Sequence, residues 1–284
     1  MKGLIIQEAS STPECFEFRE SLCIQRAFKY HGVDVDVWGM GFDNFFARPN
    51  FNDYDFILNC ENYDSGWVPD LSLFSKPFKM LWSIDAHCRG IDVFEREFQR
   101  GNYNILLHST KNLVTNSHHY WWANSFCDEK IKKLDLEKEH WLSFVGNYVN
   151  RKPIIDMLES EHGLKKFISV RGDDMVKEIN KSYIHFNMNI SIDLNYRHFE
   201  TIGCGTCLLT SYSSMAEELG FIDGENVIFF KSTQDLHDKL NFYKNKKDKV
   251  KKIADNGYEL SKKHSYKKRV LNLIEILNNK NKII

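Results

Sequence analysis

Trp141-Leu-Ser-Phe-Val145-Gly146-Asn-Tyr-Val-Asn-Arg151 is the stretch on which the fold turns. A short apolar run bounded by glycine reads as a buried strand, and the residues from Arg151 onward take up helical spacing. Immediately before it, Asp128 to His140 is mostly charged and lacks a strong apolar face. That composition, near the middle of a 284-residue chain, reads as a linker after which a second domain starts. Downstream, strands Lys166 to Val170, Tyr183 to Met188, Cys207 to Ser211 and Val227 to Lys231 alternate with helices beginning near Asp173, Tyr196 and Ser213. Three helical segments then run to the C-terminus.

The same alternation runs upstream. Gly3 to Gln7 reads as a first strand, and a helix from about Glu14 to Tyr30 is closed by His31-Gly32 in the manner of a glycine C-cap. Val33 to Trp38, Tyr54 to Asn59, Lys79 to Ile84 and Asn104 to His108 are further strands. Strands alternating with helices build parallel sheets covered on both faces. The expected fold class is α/β, with two Rossmann-like doubly wound domains facing across a cleft. Residues 1–138 form the first, and residues 139–284, with the terminal helices, the second. Ligands of such sheets bind outside the carboxyl ends of the strands, so the site is expected between the domains.

An apolar fraction of 42% excludes disorder, and no apolar run approaches the ~20 residues of a membrane-spanning helix. The expectation is a soluble, cytoplasmic protein. Seven scattered cysteines suit free thiols in a reducing compartment better than a disulfide framework. A formal charge of −1 argues against coating nucleic acid by bulk electrostatics. The charge is uneven, with 14 Lys+Arg against 4 Asp+Glu from Lys239 onward. Such a tail is either a solvated helical face or a peripheral contact for an anionic surface such as lipid headgroups.

The chemistry-bearing stretch is Asn195-Tyr-Arg-His-Phe-Glu200-Thr-Ile-Gly-Cys-Gly205-Thr-Cys-Leu-Leu-Thr210. Arg197 and Glu200, three apart, share one side of a helix near its N-terminus, where unpaired amides favour an anion such as a diphosphate. Arg197 offers a fork of donors to phosphate, and Glu200 could accept from vicinal hydroxyls such as a ribose. Spacing alone is equally that of a surface ion pair. In the first half, Trp82-Ser-Ile-Asp85-Ala-His87 ends a strand with an acid and an imidazole. Asp85 is the candidate base or acceptor-orienting group, and His87 either assists it or holds a phosphate or sugar hydroxyl; the alternative is a helix N-cap beside a hydrogen-bonded histidine. His118-His119 with Tyr120-Trp121-Trp122 fits either sugar stacking or interdomain core.

Other signals carry less. Cys204-Gly-Thr-Cys207 is one pair without further metal ligands, in helix-then-strand order, opposite to a thioredoxin-like motif. Asp34 and Asp36 lie on the solvent side of an alternating strand, and Asp173-Asp174 reads as a helix cap. No Gly-x-Gly-x-x-Gly or Walker sequence follows the first strand, which removes the main support for dinucleotide redox or P-loop chemistry.

Arg197-x-Phe-Glu200, Gly203-Cys-Gly205, the Leu-Leu-Thr strand, Glu217-Glu218 and Gly224-Glu-Asn together resemble the C-terminal signature of CgeB-like glycosyltransferases, related to glycosyltransferase family 4. The segment Trp141 to Arg151 resembles the opening of their nucleotide-binding domain. Ile253-Ala-Asp-Asn-Gly257 and His264 to Arg269 resemble their closing helices. The likeness spans about residues 141 to 270; residues 1 to 140 show only a generic GT-B pattern. It implies that Glu200 holds the nucleotide ribose, that Arg197 is the arginine preceding it, and that Arg151 lies near the diphosphate. Asn195 and Tyr196 join this donor-binding set. Family 4 members often carry a second glutamate eight positions earlier; here that position is Ile192, beside Asp193, so its role is not carried over.

The implied protein is a glycosyltransferase. Its second domain binds a nucleotide-sugar and its first a glycan, lipid or protein acceptor, with no cofactor or obligatory metal. Retention or inversion stays open, as do a phage-type DNA-base glucosyltransferase and a nonenzymatic two-domain small-ligand-binding protein.

Overall fold

The computed structural model describes residues 1–62 and 66–279. The chain divides into two compact units, one of Met1–Cys127 joined by the stretch from Tyr266, the other of Asp128–Ser265.

The first unit contains β1 (Lys2–Ile6), α1 (Pro13–Phe16), α2 (Glu20–Tyr30), β2 (Asp34–Trp38), β3 (Phe56–Cys60), β4 (Phe78–Ser83), α3 (Ala86–Arg89), α4 (Ile91–Arg100), β5 (Ile105–His108) and β6 (His119–Trp121). Its strands form one parallel sheet in the order β2-β1-β3-β4-β5-β6. Leu4, Ile6, Ile57, Leu81 and Leu106 line one face against Phe94 of α4. On the other face Phe28 of α2 meets Phe56, ring centroids 5.3 Å apart. The expected Glu14–Tyr30 helix is two helices. Buried Gln7 accepts the Ser21 N–H at 2.8 Å and donates to Glu20 at 2.9 Å, which fixes the start of α2 at the end of β1. Strand β6 escapes sequence pattern because three residues rich in rings show no alternation.

The second unit contains β7 (His140–Val145), α5 (Lys152–His162), β8 (Lys165–Phe167), α6 (Gly172–Asn180), β9 (Ser182–Asn187), α7 (Tyr196–Gly203), β10 (Cys207–Ser211), α8 (Ser214–Glu218), β11 (Ile228–Phe230), α9 (Thr233–Tyr243) and α10 (Lys247–Ser261). Its parallel sheet runs β11-β10-β9-β7-β8. Leu142, Phe144, Ile184, Phe186 and Leu209 bury one face under α5, α9 and α10 through Leu158, Leu236 and Val250. Asp173 and Asp174 lie in the first turn of α6 rather than at its N-cap, which is Arg171.

Two boundary expectations differ from the structure. The stretch after Asp128, expected to be a linker, belongs to the second unit, because it is bonded to it: Lys138 Nζ donates to the carbonyls of Asn180 and Ser182 at 2.7 and 2.8 Å, and Leu134 N–H to Asn180 at 2.8 Å. The last helix, α11 (Tyr266–Asn278), was expected with the second domain but belongs to the first unit. It buries Val270, Leu273 and Leu277 and packs on α2. Its backbone accepts from Trp122 Nε1 at Arg269, 3.1 Å, and contacts His31 Nε2 at Lys267, 2.7 Å. The basic tail is therefore divided between the units, and an amphipathic helix follows its apolar face rather than its place in sequence.

Both sheets reverse direction in the same way. In each, the first strand has the second on one side and the third on the other, which makes topological switch points between β1 and β3 and between β7 and β9.

Candidate active site

In the second unit a cavity of about 270 Å³ lies at the carboxyl ends of β7 and β9, the switch point of that sheet. Its lining includes all five residues expected to hold a donor: Arg151, Asn195, Tyr196, Arg197 and Glu200. Gly146, directly after β7, also lines it with φ 151°, a conformation strained for any residue with a Cβ. The chain can thus leave β7 with bare backbone toward the cavity.

A polar network seats α7 on the sheet. Asn195 is its N-cap and accepts the Arg197 N–H at 3.1 Å, while its amide donates to Asn187 Oδ1 at 3.2 Å. Asn187 donates in turn to Thr210 Oγ1 at 3.2 Å, whose hydroxyl lies 3.3 Å from His198 Nε2. Burial pushes the His198 imidazole down to about 4, so it is a neutral part of this network near pH 7.

Arg197 and Glu200 are ion-paired with each other inside the cavity, their side chains 20% and 17% exposed. The pair is therefore neither an exposed surface ion pair nor a free carboxylate. A carboxylate has about four acceptor sites, so the pair still leaves Glu200 capacity for hydroxyls. Arg151 is fixed by donating Nε to the Met188 carbonyl at 2.8 Å and Nη1 to that of Asn147 at 3.0 Å. Burial pushes its guanidinium downward, Asp193 opposes this, and Arg197 is close enough to repel it. Two guanidinium groups that repel each other across one cavity are relieved by an anion between them.

Asp85 and His87 lie in the first unit, past the carboxyl end of β4. Asp85 occupies the N-cap position of α3 without a side-chain cap hydrogen bond, and His87 is half-buried in the single turn that follows.

Sequence reasoning missed Glu61. It follows β3 directly, beside the switch point of the first sheet, and has φ 58°, a left-handed conformation rare outside glycine. Its carboxylate accepts the backbone N–H groups of Ile84, at 2.5 Å, and Asp85, at 3.2 Å, and pairs with Arg89 Nε at 3.3 Å. Burial raises Glu61 to about 7 against the pull of the Ile84 amide, with Asp85 adding to the rise. Nothing in the local pattern around Cys60-Glu-Asn62 marks such a group, since its partners come from β4 and beyond.

The remaining signals resolve as structure. His119 is buried, with Nδ1 3.2 Å from His108 Nε2 and Nε2 3.2 Å from Glu95, and His108 Nδ1 lies 2.8 Å from Ser83 Oγ. Trp122 packs edge-on against Trp82 at 4.6 Å within the first unit. Cys204 and Cys207 are buried, and burial pushes both thiols well up, which leaves them inert. Asp36 accepts from Tyr54 at 2.9 Å and pairs with Lys2 at 3.2 Å.

Residues 138–275 match a family model described as glycosyl transferase-like. No curated protein sequence matches the chain. Among solved structures, an alpha-glucosyltransferase in complex with UDP and a 13-mer DNA containing a HMU base is similar with TM-score 0.72 and 11% identity, over 98% of this chain and 99% of that one. HepE of Anabaena in complex with UDP and glucose gives 0.65 and 12%, over 98% and 100%. Sucrose-phosphate synthase from Thermosynechococcus elongatus gives 0.65 and 9%, over 100% of both chains. At these identities the likeness is one of fold: each unit is a parallel-sheet α/β domain of the kind found in GT-B glycosyltransferases. No helix among the described residues is long and apolar enough to cross a membrane.

Proposed function

We propose that the chain is a glycosyltransferase that moves a sugar from a nucleotide-sugar donor to an acceptor hydroxyl, with the donor held by the second unit. The observation that carries this reading is the cavity at the β7/β9 switch point, where Arg151, Asn195, Tyr196, Arg197 and Glu200 come together. Leaving-group charge on a diphosphate meets the guanidinium groups of Arg197 and Arg151 at the N-terminal end of α7, so no divalent ion is required for the departure step. Glu200 accepts from the ribose hydroxyls while remaining paired with Arg197. The UDP and UDP-glucose complexes of similar folds make uridine the first nucleobase to try. The CgeB-like, family 4-related assignment belongs to this proposal, resting on the order of motifs from Trp141 to Arg269.

The acceptor belongs to the first unit in this reading. Asp85, His87 and Glu61 cluster past the ends of β3 and β4, and Glu61 holds the backbone at Asp85 in place. A carboxyl poised near neutrality can orient an acceptor hydroxyl or take its proton, depending on the stereochemical course.

Calorimetry with uridine, guanosine, adenosine and cytidine diphosphates is the direct test. Binding of one of them, weakened in Glu200→Ala, is expected; no binding by any, with Glu200→Ala unchanged, defeats the proposal. A second reading takes a modified DNA base as the acceptor, favoured by the likeness to the alpha-glucosyltransferase crystallised with DNA. A salt-dependent gel shift on duplex DNA distinguishes it.

A further inference from the structure

Away from the donor cavity, α5 ends in Glu161 and His162, and His237 stands on α9 facing them. His162 Nε2 lies 2.8 Å from His237 Nδ1, and Glu161 Oε2 lies 3.7 Å from that same nitrogen. One ligand atom from each residue falls within 4.8 Å of the other two. We propose that Glu161, His162 and His237 form a binding site for a divalent transition-metal ion of the zinc class.

The donor set is the first argument. Two imidazoles and one carboxylate are a recurrent zinc set, with the fourth tetrahedral position left to water. Geometry is the second. Metal–nitrogen bonds of about 2.0 to 2.1 Å place tetrahedral ligand atoms about 3.3 to 3.4 Å apart. The imidazole pair therefore opens by about half an ångström, and the carboxylate, 3.7 Å from His237 Nδ1 and within 4.8 Å of both nitrogens, closes by up to about 1.4 Å. Glu161 is exposed and the two histidines only half-buried, so side-chain rotation can make that adjustment. Placement is the third. The cation would sit at the carboxyl end of an 11-residue helix, where unpaired carbonyls carry partial negative charge. Lys244 brings an opposing charge to His162, so an ion bound through imidazole nitrogen is favoured over one held by charge alone, such as calcium or magnesium.

The site joins two helices that already share one core, through Ile155 and Leu158 of α5 and Leu236 and Leu240 of α9. It lies about 16 Å from Arg151 along α5, at the rise of an α-helix. The ion would act as a clip between helices, not in sugar transfer, and the inference stands or falls apart from the proposed function.

The test uses the full chain, untagged and stripped of metal with a chelator. Zn²⁺ titrated by calorimetry is expected to bind with a stoichiometry near one. Co²⁺ is expected to give the visible ligand-field absorption of a four-coordinate site. His162→Gln and His237→Gln should each weaken Zn²⁺ binding by about 100-fold or more, and Glu161→Gln by about tenfold. Circular dichroism establishes that the variants are folded. Failure of Zn²⁺ to bind the folded wild type overturns the proposal. So does undiminished binding in the folded His162→Gln/His237→Gln double variant, which would assign the ion to the thiols.

Discussion

Arg197 and Glu200 bond to each other one turn apart on α7, and both line the cavity at the carboxyl ends of β7 and β9. The pair is a placed element of the site. Arg197 answers the charge of Glu200, and in the proposed donor complex the guanidinium would be shared between that carboxylate and the diphosphate. The two residues should therefore couple in ligand binding. Glu200→Ala and Arg197→Ala are each expected to cost about 1.5 to 3 kcal/mol of nucleoside diphosphate affinity, the range for hydrogen bonds to charged groups. The double variant should lose less than the sum, by about 0.5 kcal/mol or more. Calorimetry on the four-member cycle checks this, and strict additivity would mean that the ligand does not engage the pair.

Arg151 donates to the carbonyls of Met188 and Asn147 through two different nitrogens, a geometry that an ammonium cannot reproduce. Arg151→Lys keeps the charge and loses the fork. Its expected effect is a roughly tenfold weaker affinity for a nucleoside diphosphate, with a smaller effect on the nucleoside alone. Equal weakening of both ligands would place Arg151 away from the phosphates.

Glu61 gives a pH dependence of defined sign. Burial raises its folded-state value to about 7 from 4.5, so the folded state holds the proton more tightly than the unfolded chain. This contribution is complete below about pH 4.5 and is lost as pH rises through 7. Glu61→Gln keeps acceptor capacity for the Ile84 and Asp85 amides and cannot ionise. It should be more stable than wild type above pH 7, by at most about 3 kcal/mol, with the difference fading toward about pH 4.5. Transferase turnover should fall in the same variant. Melting curves across that range provide the check, and a stability difference independent of pH would refute the assignment.

His198 has the opposite sign. Its value is pushed down to about 4 by burial, against 6.5 for a free imidazole, so its neutral form stabilises the fold. That stability is present above about pH 6.5 and is lost as pH falls through 4. His198→Gln should flatten the loss of stability across this interval. Because His198 holds Thr210 beneath the Asn195 cap, the variant should also weaken donor binding. An unchanged acid slope measured by chemical denaturation would contradict this.

Gly257 sits inside α10, where alanine ordinarily favours a helix over glycine. Here a Cβ would meet the Asn226 carbonyl oxygen at 2.9 Å and Ile202 of α7 at 3.2 Å. Gly257→Ala is expected to destabilise by about 1 to 3 kcal/mol, the usual range for overpacking. It should also disturb donor binding through α7. A raised melting temperature would show that the helices part without cost.

Alternating apolar runs and turn residues are enough to read ten of the eleven strands among the described residues. Four of the residues lining the β7/β9 cavity were legible too, because Asn195, Tyr196, Arg197 and Glu200 are local to one helix start. The sequence by itself determined two α/β units and the chemical character of that helix, since periodicity and capping act between residues a few positions apart. Only the tertiary structure decided three other matters. It assigned α11 to the first unit, because a helix docks wherever its apolar face is covered. It set Arg151 beside Arg197, because the ends of β7 and β9 meet at a switch point. It also made a near-neutral acid of Glu61, because the burial and the Asp85 charge that raise it, and the Ile84 amide that opposes the rise, come from chain more than twenty residues away.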